Sequence, residues 1–388
     1  MEGDIATTRR EFVRRIGLGA ATGLALSHSF SRHGAQAQTL AQAESGVFDN
    51  GVMQLNQNES ARGPGPKTLE AIRQHTTKRV GRGYAPDHVN ELRSSIAERF
   101  GLDSTNVLLG TGSTPILEGS VHAFCSARKS LVTAVPSYST SEQTARRMGV
   151  KVHAVPLDAG LYVDLPALAK LAPGAGLVYV CNPNNPSGTV HGQEVIDAFV
   201  REVLRASPDT IIHIDEAYIN YTDPGAMETA LPLVKEFKNV FITRSFSKAH
   251  GLAGMRIGFA LGHADTLAKI NASWGMGDVN MLGALAALTA LNDDDHIEWE
   301  RQENYAIKTF VMQAFKDMGY EVPYTQTNHL FVNLGMPASK FREACLAHDI
   351  LVGRDFPPLE NTHCRISLGS REEMQRAVAV FREVLAQS

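Results

Sequence analysis

From about Val107 onward the chain alternates short runs of apolar and β-branched residues with stretches in which apolar positions recur every three or four residues. The runs fall at 107–109, 131–135, 152–155, 177–180, 211–214, 240–243 and 257–261. Several are apolar at every position, the pattern of strands covered on both faces of a largely parallel sheet. Between the runs lie helical patterns: Val89, Leu92, Ile96 and Phe100 share one helical face, and a second helix is predicted from Glu194 to Leu204. The rhythm predicts an α/β layered domain. After about Leu282 it changes. A long helix is predicted over roughly 296–318, entered from Asn292-Asp293-Asp294-Asp295, whose carboxylates suit a helix N-terminus better than a metal. A strand near 330–333, a helix near 339–347, a strand near 364–368 and a helix from Glu372 follow, predicting a smaller α+β domain.

Composition leaves this picture intact and excludes others. Of 388 residues, 43% are hydrophobic and 20% charged, which suits a folded globular chain. Thirty-seven basic against 41 acidic side chains give a formal charge of -4, so no basic surplus exists to draw nucleic acid or anionic lipid. Cys125, Cys181, Cys345 and Cys364 are scattered without metal-ligand spacing and read as free thiols; no metal site is expected. The first forty residues differ from the rest. Arg9-Arg10 and Arg14-Arg15 precede a weakly apolar stretch from Ile16 to Leu26, and Ala35-Gln36-Ala37 and Ala41-Gln42-Ala43 follow as small-residue cleavage sites. This order resembles a twin-arginine export signal, which implies a periplasmic or otherwise exported protein. The apolar run is shorter than the ~20 residues a membrane span needs, so no stable membrane insertion is expected.

Chemistry-bearing residues cluster after the apolar runs. Lys248 lies in Ser245-Phe246-Ser247-Lys248, just past one predicted strand, where an amine taken partly out of water can lose its proton and act as a nucleophile. Asp215 begins Asp215-Glu216-Ala217-Tyr218 at the end of another, and Asn182-Pro183-Asn184-Asn185-Pro186-Ser187-Gly188 follows a third. Gly110-Thr111-Gly112-Ser113-Thr114 joins a strand to a helix, so its amides and hydroxyls meet at a helix N-terminus and form an anion cradle. A dinucleotide site is excluded there because the third glycine position is Pro115 and no ribose-binding acid follows.

Taken in order, the Asn182–Gly188, Asp215–Tyr218 and Ser245–Lys248 motifs together with Arg256-Ile257-Gly258 resemble the class I and II aminotransferases, the fold-type I enzymes of pyridoxal 5'-phosphate. Within that family, Leu55-Asn56-Gln57-Asn58-Glu59 is most similar to the histidinol-phosphate aminotransferase branch. The likeness covers roughly 54–385. It implies a large domain with a mixed, mostly parallel seven-stranded sheet and a smaller α+β C-terminal domain. The expected division is 1–43 for the export signal and cleavage region, 44–75 for an N-terminal arm, 76–285 for the cofactor-binding domain and 286–388 for the small domain.

The resemblance also implies roles. Lys248 holds the cofactor as a Schiff base and shuttles the substrate proton, Asp215 keeps the ring nitrogen protonated, Asn185 and Tyr218 bond the ring oxygen, and Tyr138 stacks on the ring. Gly112, Ser113, Thr114, Ser245, Ser247 and Arg256 hold the phosphate, joined by Tyr84 from the partner of an obligate homodimer. Arg365 grips the substrate carboxylate with two parallel hydrogen bonds, and Arg354 and Asn328 are further substrate contacts. The expected reaction moves an amino group between an amino acid and a 2-keto acid by a ping-pong mechanism. Alternatives on the same scaffold are a decarboxylase, an amino-acid oxidase or a catalytically silent binding protein. The chain departs from the branch at Ser60-Ala61-Arg62-Gly63, where a Pro-Tyr-Gly pattern is usual. An aromatic substrate contact is thereby replaced by a charge, which argues against histidinol phosphate as the substrate.

Overall fold

The computed structural model describes residues 51–78, 80–81 and 86–387. The export signal, its cleavage sites and Tyr84 lie outside the described residues. Eleven strands among the described residues run in chain order as β1 (Met53–Leu55), β2 (Val107–Thr111), β3 (Leu131–Val135), β4 (Val152–Pro156), β5 (Leu177–Cys181), β6 (Ile211–Asp215), β7 (Val240–Ser245), β8 (Ile257–Gly262), β9 (His329–Asn333), β10 (Ile350–Val352) and β11 (His363–Ser367). The seven apolar runs become β2 to β8 and form one sheet in the order β2-β8-β7-β6-β5-β3-β4. Every pairing is parallel except those of β8, which runs against both β2 and β7. All five residues of β5 and of β6 are buried, as helices on both faces of the sheet require.

Residues 52–388 form a single compact unit with two large hydrophobic cores and smaller clusters, one of which packs Leu177, Tyr179 and Phe241 on one face of the seven-stranded sheet. One large core follows the opposite face of that sheet and includes Val178, Val180, Ile212, Ile214 and Ile242. Helix Met281–Leu291 buries Ala284, Ala286, Ala287, Ala290 and Leu291 in that same core, so the sheet's packing continues past the boundary at 285 expected from sequence. The other core gathers Ile307, Val311 and Phe315 of helix Asp294–Asp317 with β9, β11 and helix Arg371–Ala386, and it takes in Met53 and Leu55 of β1. β1 reaches it by pairing in parallel with β10. That pairing was not legible in the sequence, because each strand has only three residues. All four cysteines are free and buried.

The acidic run behaves differently from expectation. Asp293 occupies the N-cap position of helix Asp294–Asp317, yet its side chain makes no capping bond; its Oδ1 accepts instead from Lys67 Nζ at 2.6 Å. Asp294 pairs with Arg99. These carboxylates face the positive end of the helix but tie it to other elements.

The Arg62 charge is likewise committed. The Glu300 carboxylate, fully buried, accepts from Arg62 Nε at 2.6 Å and Nη2 at 2.7 Å, from Ser60 Oγ at 2.9 Å and from the Tyr221 hydroxyl at 3.0 Å. This knot fastens the N-terminal segment to helix Asp294–Asp317, and it removes Arg62 from the charges open to a substrate. Removing one partner strands the other charge out of water. Glu300→Ala is therefore expected to lower the unfolding free energy by ~3–5 kcal/mol. Arg62→Ala should cost far less in the Glu300→Ala background than alone, as urea unfolding of the two single variants and the double variant will read. Equal costs of Arg62→Ala in both backgrounds would show that the two side chains are not coupled.

Candidate active site

β3, β5, β6 and β7 run the same way, so their C-terminal ends lie along one edge of the sheet. Because β8 runs against its neighbours, its first residues lie at that edge too, beside the last residues of β2. A cavity of about 450 Å³ opens there. It is lined by Ser113, Thr114, Tyr138, Asn185, Asp215, Tyr218, Ser245, Ser247, Lys248, Arg256, Arg354 and Arg365, all singled out from sequence. Cys181, Ala217, Ala253 and the segment Asn56–Glu59 complete the wall.

On one side lies a group of anion-binding donors. Helix Thr114–Phe124 starts at Ser113, whose hydroxyl makes no capping bond, so the positive end of the helix faces the cavity. Gly112 has φ +83°, and a Cβ there would run into the Arg256 guanidinium. Gly258 allows a similar approach, since a Cβ on it would strike the backbone of Gly112 and Ser113. The two glycines thus let the 112–114 turn lie directly against β8. Arg256, itself at φ 59°, donates from Nη1 to the Ala253 carbonyl at 2.8 Å. Ser245 Oγ accepts from the Ser247 amide at 3.0 Å, closing the turn that leads to Lys248. Gly112 is absent from the wall; its part is to make room.

In the middle stand a buried acid and a half-buried amine. Asp215 is 2% exposed, and its oxygens accept from Thr243 Oγ1 at 2.9 Å and the Tyr179 hydroxyl at 3.0 Å. Thr243 is in turn 2.7 Å from His213 Nε2; its own proton being given to Asp215, it accepts from that nitrogen. Burial raises the Asp215 carboxyl to about 6, the two hydroxyls opposing the shift. His213 is pushed down to about 3 by burial and remains neutral. Lys248 Nζ donates to the Gln57 carbonyl at 3.2 Å. Loss of hydration lowers its amine to about 8, with the positive charges of Arg365 and Arg256 acting the same way and Glu59 and Asp215 opposing.

The far side carries the arginines. Arg365, 7% exposed, donates from Nη1 to Asn185 Oδ1 at 2.9 Å and from Nη2 to the Asn56 carbonyl, while its Nε has no protein partner. Burial brings it down to about 10. Arg354 is more exposed and bonds Ser139 Oγ at 3.3 Å; both guanidiniums lie over the Phe356 ring, at 4.3 Å for Arg354 and 4.9 Å for Arg365. Asn328 does not line the cavity. Its amide is spent on the carbonyls of Asn58 at 3.0 Å and Glu59 at 3.2 Å, so it secures the N-terminal segment and is not free for a substrate. Sequence reading missed Tyr179, His213 and Thr243 behind Asp215. They became visible only through register, in which Cys181 and Thr243 stand opposite Asp215, and Tyr179 opposite His213, on neighbouring strands.

An amine held near 8 stands well below the 10.5 that is ordinary for a lysine. In cofactor-free protein, the rate at which an amine-reactive aldehyde attaches to Lys248, followed by peptide mapping after borohydride reduction, should rise with pH and level off just above 8. A rate still climbing at pH 10 would show that the cavity leaves the amine hydrated.

Comparison with known proteins agrees with the geometry. The family model for aminotransferase class I and II matches residues 50–381. The chain is similar to the histidinol-phosphate aminotransferase of Moorella thermoacetica, 30% identical over 347 residues that span 89% of this chain and 88% of the relative. It is also similar to that of Akkermansia muciniphila, 32% identical over 345 residues, 88% of this chain and 92% of the relative. The crystal structure of a histidinol-phosphate aminotransferase from Sinorhizobium meliloti in complex with pyridoxal-5'-phosphate superposes with a TM-score of 0.79 at 27% identity, covering 92% of this chain and 99% of the other. With its matched length, its sheet order and a lysine, an acid and an anion cradle at one sheet edge, the chain belongs to the class I and II aminotransferases, enzymes that work with pyridoxal 5'-phosphate.

Proposed function

We propose that the chain carries an amino group from an amino acid to a 2-keto acid by a ping-pong mechanism, with Lys248 as the group that moves the substrate proton. The observation that carries this reading is the gathering of Lys248, Asp215, Asn185, Tyr218, Arg256 and Arg365 around one cavity. These residues fit pyridoxal phosphate. Ser113, Thr114, Ser245, Ser247 and Arg256 form a donor set for its phosphate, the room left by Gly112 serving the same end. A buried carboxylate at Asp215 suits a protonated ring nitrogen, while Tyr218 and Asn185 suit an anionic ring oxygen, with Tyr138 against the ring face. When bound, the cofactor supplies a carbonyl that condenses with amines and a ring that takes up the electron pair left by a departing α-proton.

The chain's own residues do the rest. Asp215 provides the negative charge that keeps a proton on the ring nitrogen, and Thr243 and Tyr179 hold that carboxylate in one orientation. Lys248, with its amine held down to about 8, loses its proton in mildly alkaline solution far more readily than an ordinary lysine and can accept the α-proton and return it. Arg365 fixes the substrate carboxylate, so that the α-C–H bond faces Lys248. Arg354 is a second cation at the same mouth. The relatives' names point to histidinol phosphate, but in this chain Ser60-Ala61-Arg62-Gly63 offers no aromatic side chain, and Arg62 is held by Glu300. An amino acid is therefore the favoured donor. We further propose that the working form is a homodimer in which Tyr84 reaches the partner's phosphate site, that the part built on the seven-stranded sheet, helix Met281–Leu291 included, and the C-terminal part act as large and small domains, and that the folded protein is exported through its twin-arginine-type signal.

Two measurements test the chemistry. Purified protein should show a visible cofactor absorbance that one amino acid of a panel bleaches and a 2-keto acid restores, and Lys248→Ala should lose both responses; a protein that takes up no pyridoxal phosphate would overturn the reading. Arg365→Ala should raise KM for that amino acid by ~100-fold, with Arg365→Lys recovering little of it, because a lysine cannot supply two parallel bonds. A full recovery by lysine would mean that Arg365 acts as charge alone.

A further inference from the structure

Asn58 lies in the N-terminal segment, 1% exposed, at φ 55°. A non-glycine residue in the left-handed region is uncommon, and asparagine is among the side chains that tolerate it best. Here the conformation turns the side chain inward. The Asn58 Nδ2 group is 3.0 Å from the Tyr218 hydroxyl and 2.9 Å from His329 Nδ1.

The bonding around it fixes which atom is which. The Asn58 amide N–H donates to Ser367 Oγ at 2.9 Å, and Ser367 Oγ gives its one proton to Asn58 Oδ1 at 2.7 Å. The oxygen of the Asn58 side chain therefore points to Ser367, and its NH₂ to Tyr218. The second amide at Tyr218 is locked in the same sense. Asn185 Oδ1 accepts from the Arg365 guanidinium, which can only donate, so Asn185 Nδ2 is the atom 3.2 Å from the Tyr218 hydroxyl. Tyr218 thus receives two N–H donors at its oxygen. A hydroxyl has a single proton, and neither amide nitrogen can accept it, so that proton is directed away from both and toward the cavity that Tyr218 lines.

We infer that Asn58 is a positioning residue for the reaction: with Ser367 behind it, it holds the Tyr218 hydroxyl as a hydrogen-bond donor aimed into the cofactor cavity. Asn328 fixes the Asn58 carbonyl and His329 takes the second amide proton, so the segment before the large sheet and the core built on β9 and β11 together set the direction of one O–H bond. This inference rests on the cofactor reading above and deepens it.

The test uses loaded enzyme and the pH dependence of the cofactor's visible absorbance. A donor on the ring oxygen favours its anionic form, so misdirecting the donor raises the midpoint of that titration. Asn58→Gly keeps the left-handed backbone at little cost and removes only the amide. It should move the midpoint up by ~0.5–1 pH unit and lower kcat several-fold with KM little changed. In a Tyr218→Phe background the same substitution should produce no further shift. Should Asn58→Gly fail to fold or load, Ser367→Ala, which frees the Asn58 side chain to turn, should give a smaller shift of the same sign with the same dependence on Tyr218. A midpoint unmoved in the variant that loads, or an equal shift in the Tyr218→Phe background, overturns the inference while leaving the cofactor assignment standing. Absence of any visible band in wild type would instead overturn that assignment, and this inference with it.

Discussion

Strand direction governs this molecule. With β3, β5, β6 and β7 parallel, every chain segment that leaves the sheet from those strands leaves at the same edge, and β2 ends there while β8 begins there. Tyr138, Asn185, the Asp215–Tyr218 stretch and Lys248 are far apart in the chain yet share one cavity because each lies at or just past the end of such a strand. An antiparallel arrangement of the same strands would scatter them to two edges. The single reversed strand matters equally, since β8 returns Arg256 to the edge where the helix N-terminus at Ser113 lies.

A cavity so built draws its chemistry from incomplete hydration. Lys248 is lowered to about 8 and Asp215 raised to about 6, each displaced chiefly by loss of water. The buried hydroxyls of Thr243 and Tyr179 keep the carboxylate from rising further. Arg365 loses more hydration than any surface arginine and recovers it only in part, through Asn185 and the Asn56 carbonyl. A site in this condition is ready for an anion and an electron-poor ring, which is the reason the residues look costly in isolation and sensible together.

The N-terminal segment closes the arrangement. Residues 53–62 join the second core through β1, offer carbonyls to Lys248 and Arg365, present Asn58 to Tyr218 and end in the Arg62–Glu300 knot. These are polar anchors fixed by buried partners of opposite role, so the segment is specified by hydrogen-bond direction more than by apolar area. Its shortness as a strand conceals that importance from any periodicity argument.

Much of this was legible in the sequence. Seven short apolar and β-branched runs marked the seven strands of the sheet, several of them without alternation, as befits a strand covered on both faces, and the motifs following those runs announced the site because ligands of parallel sheets gather at strand ends. The four motifs in order carried the family and its cofactor. Tertiary structure alone decided which atoms meet. Thr243 and Tyr179 support Asp215 through cross-strand register, which no local pattern encodes; Asn328 faces the backbone of Asn58 and Glu59 instead of the cavity; Arg62 is neutralised by a glutamate 238 positions away. Composition and spacing state which chemical groups a chain possesses. Their hydration, partners and direction arise only when distant segments are packed together, because those properties belong to the contact and to neither residue alone.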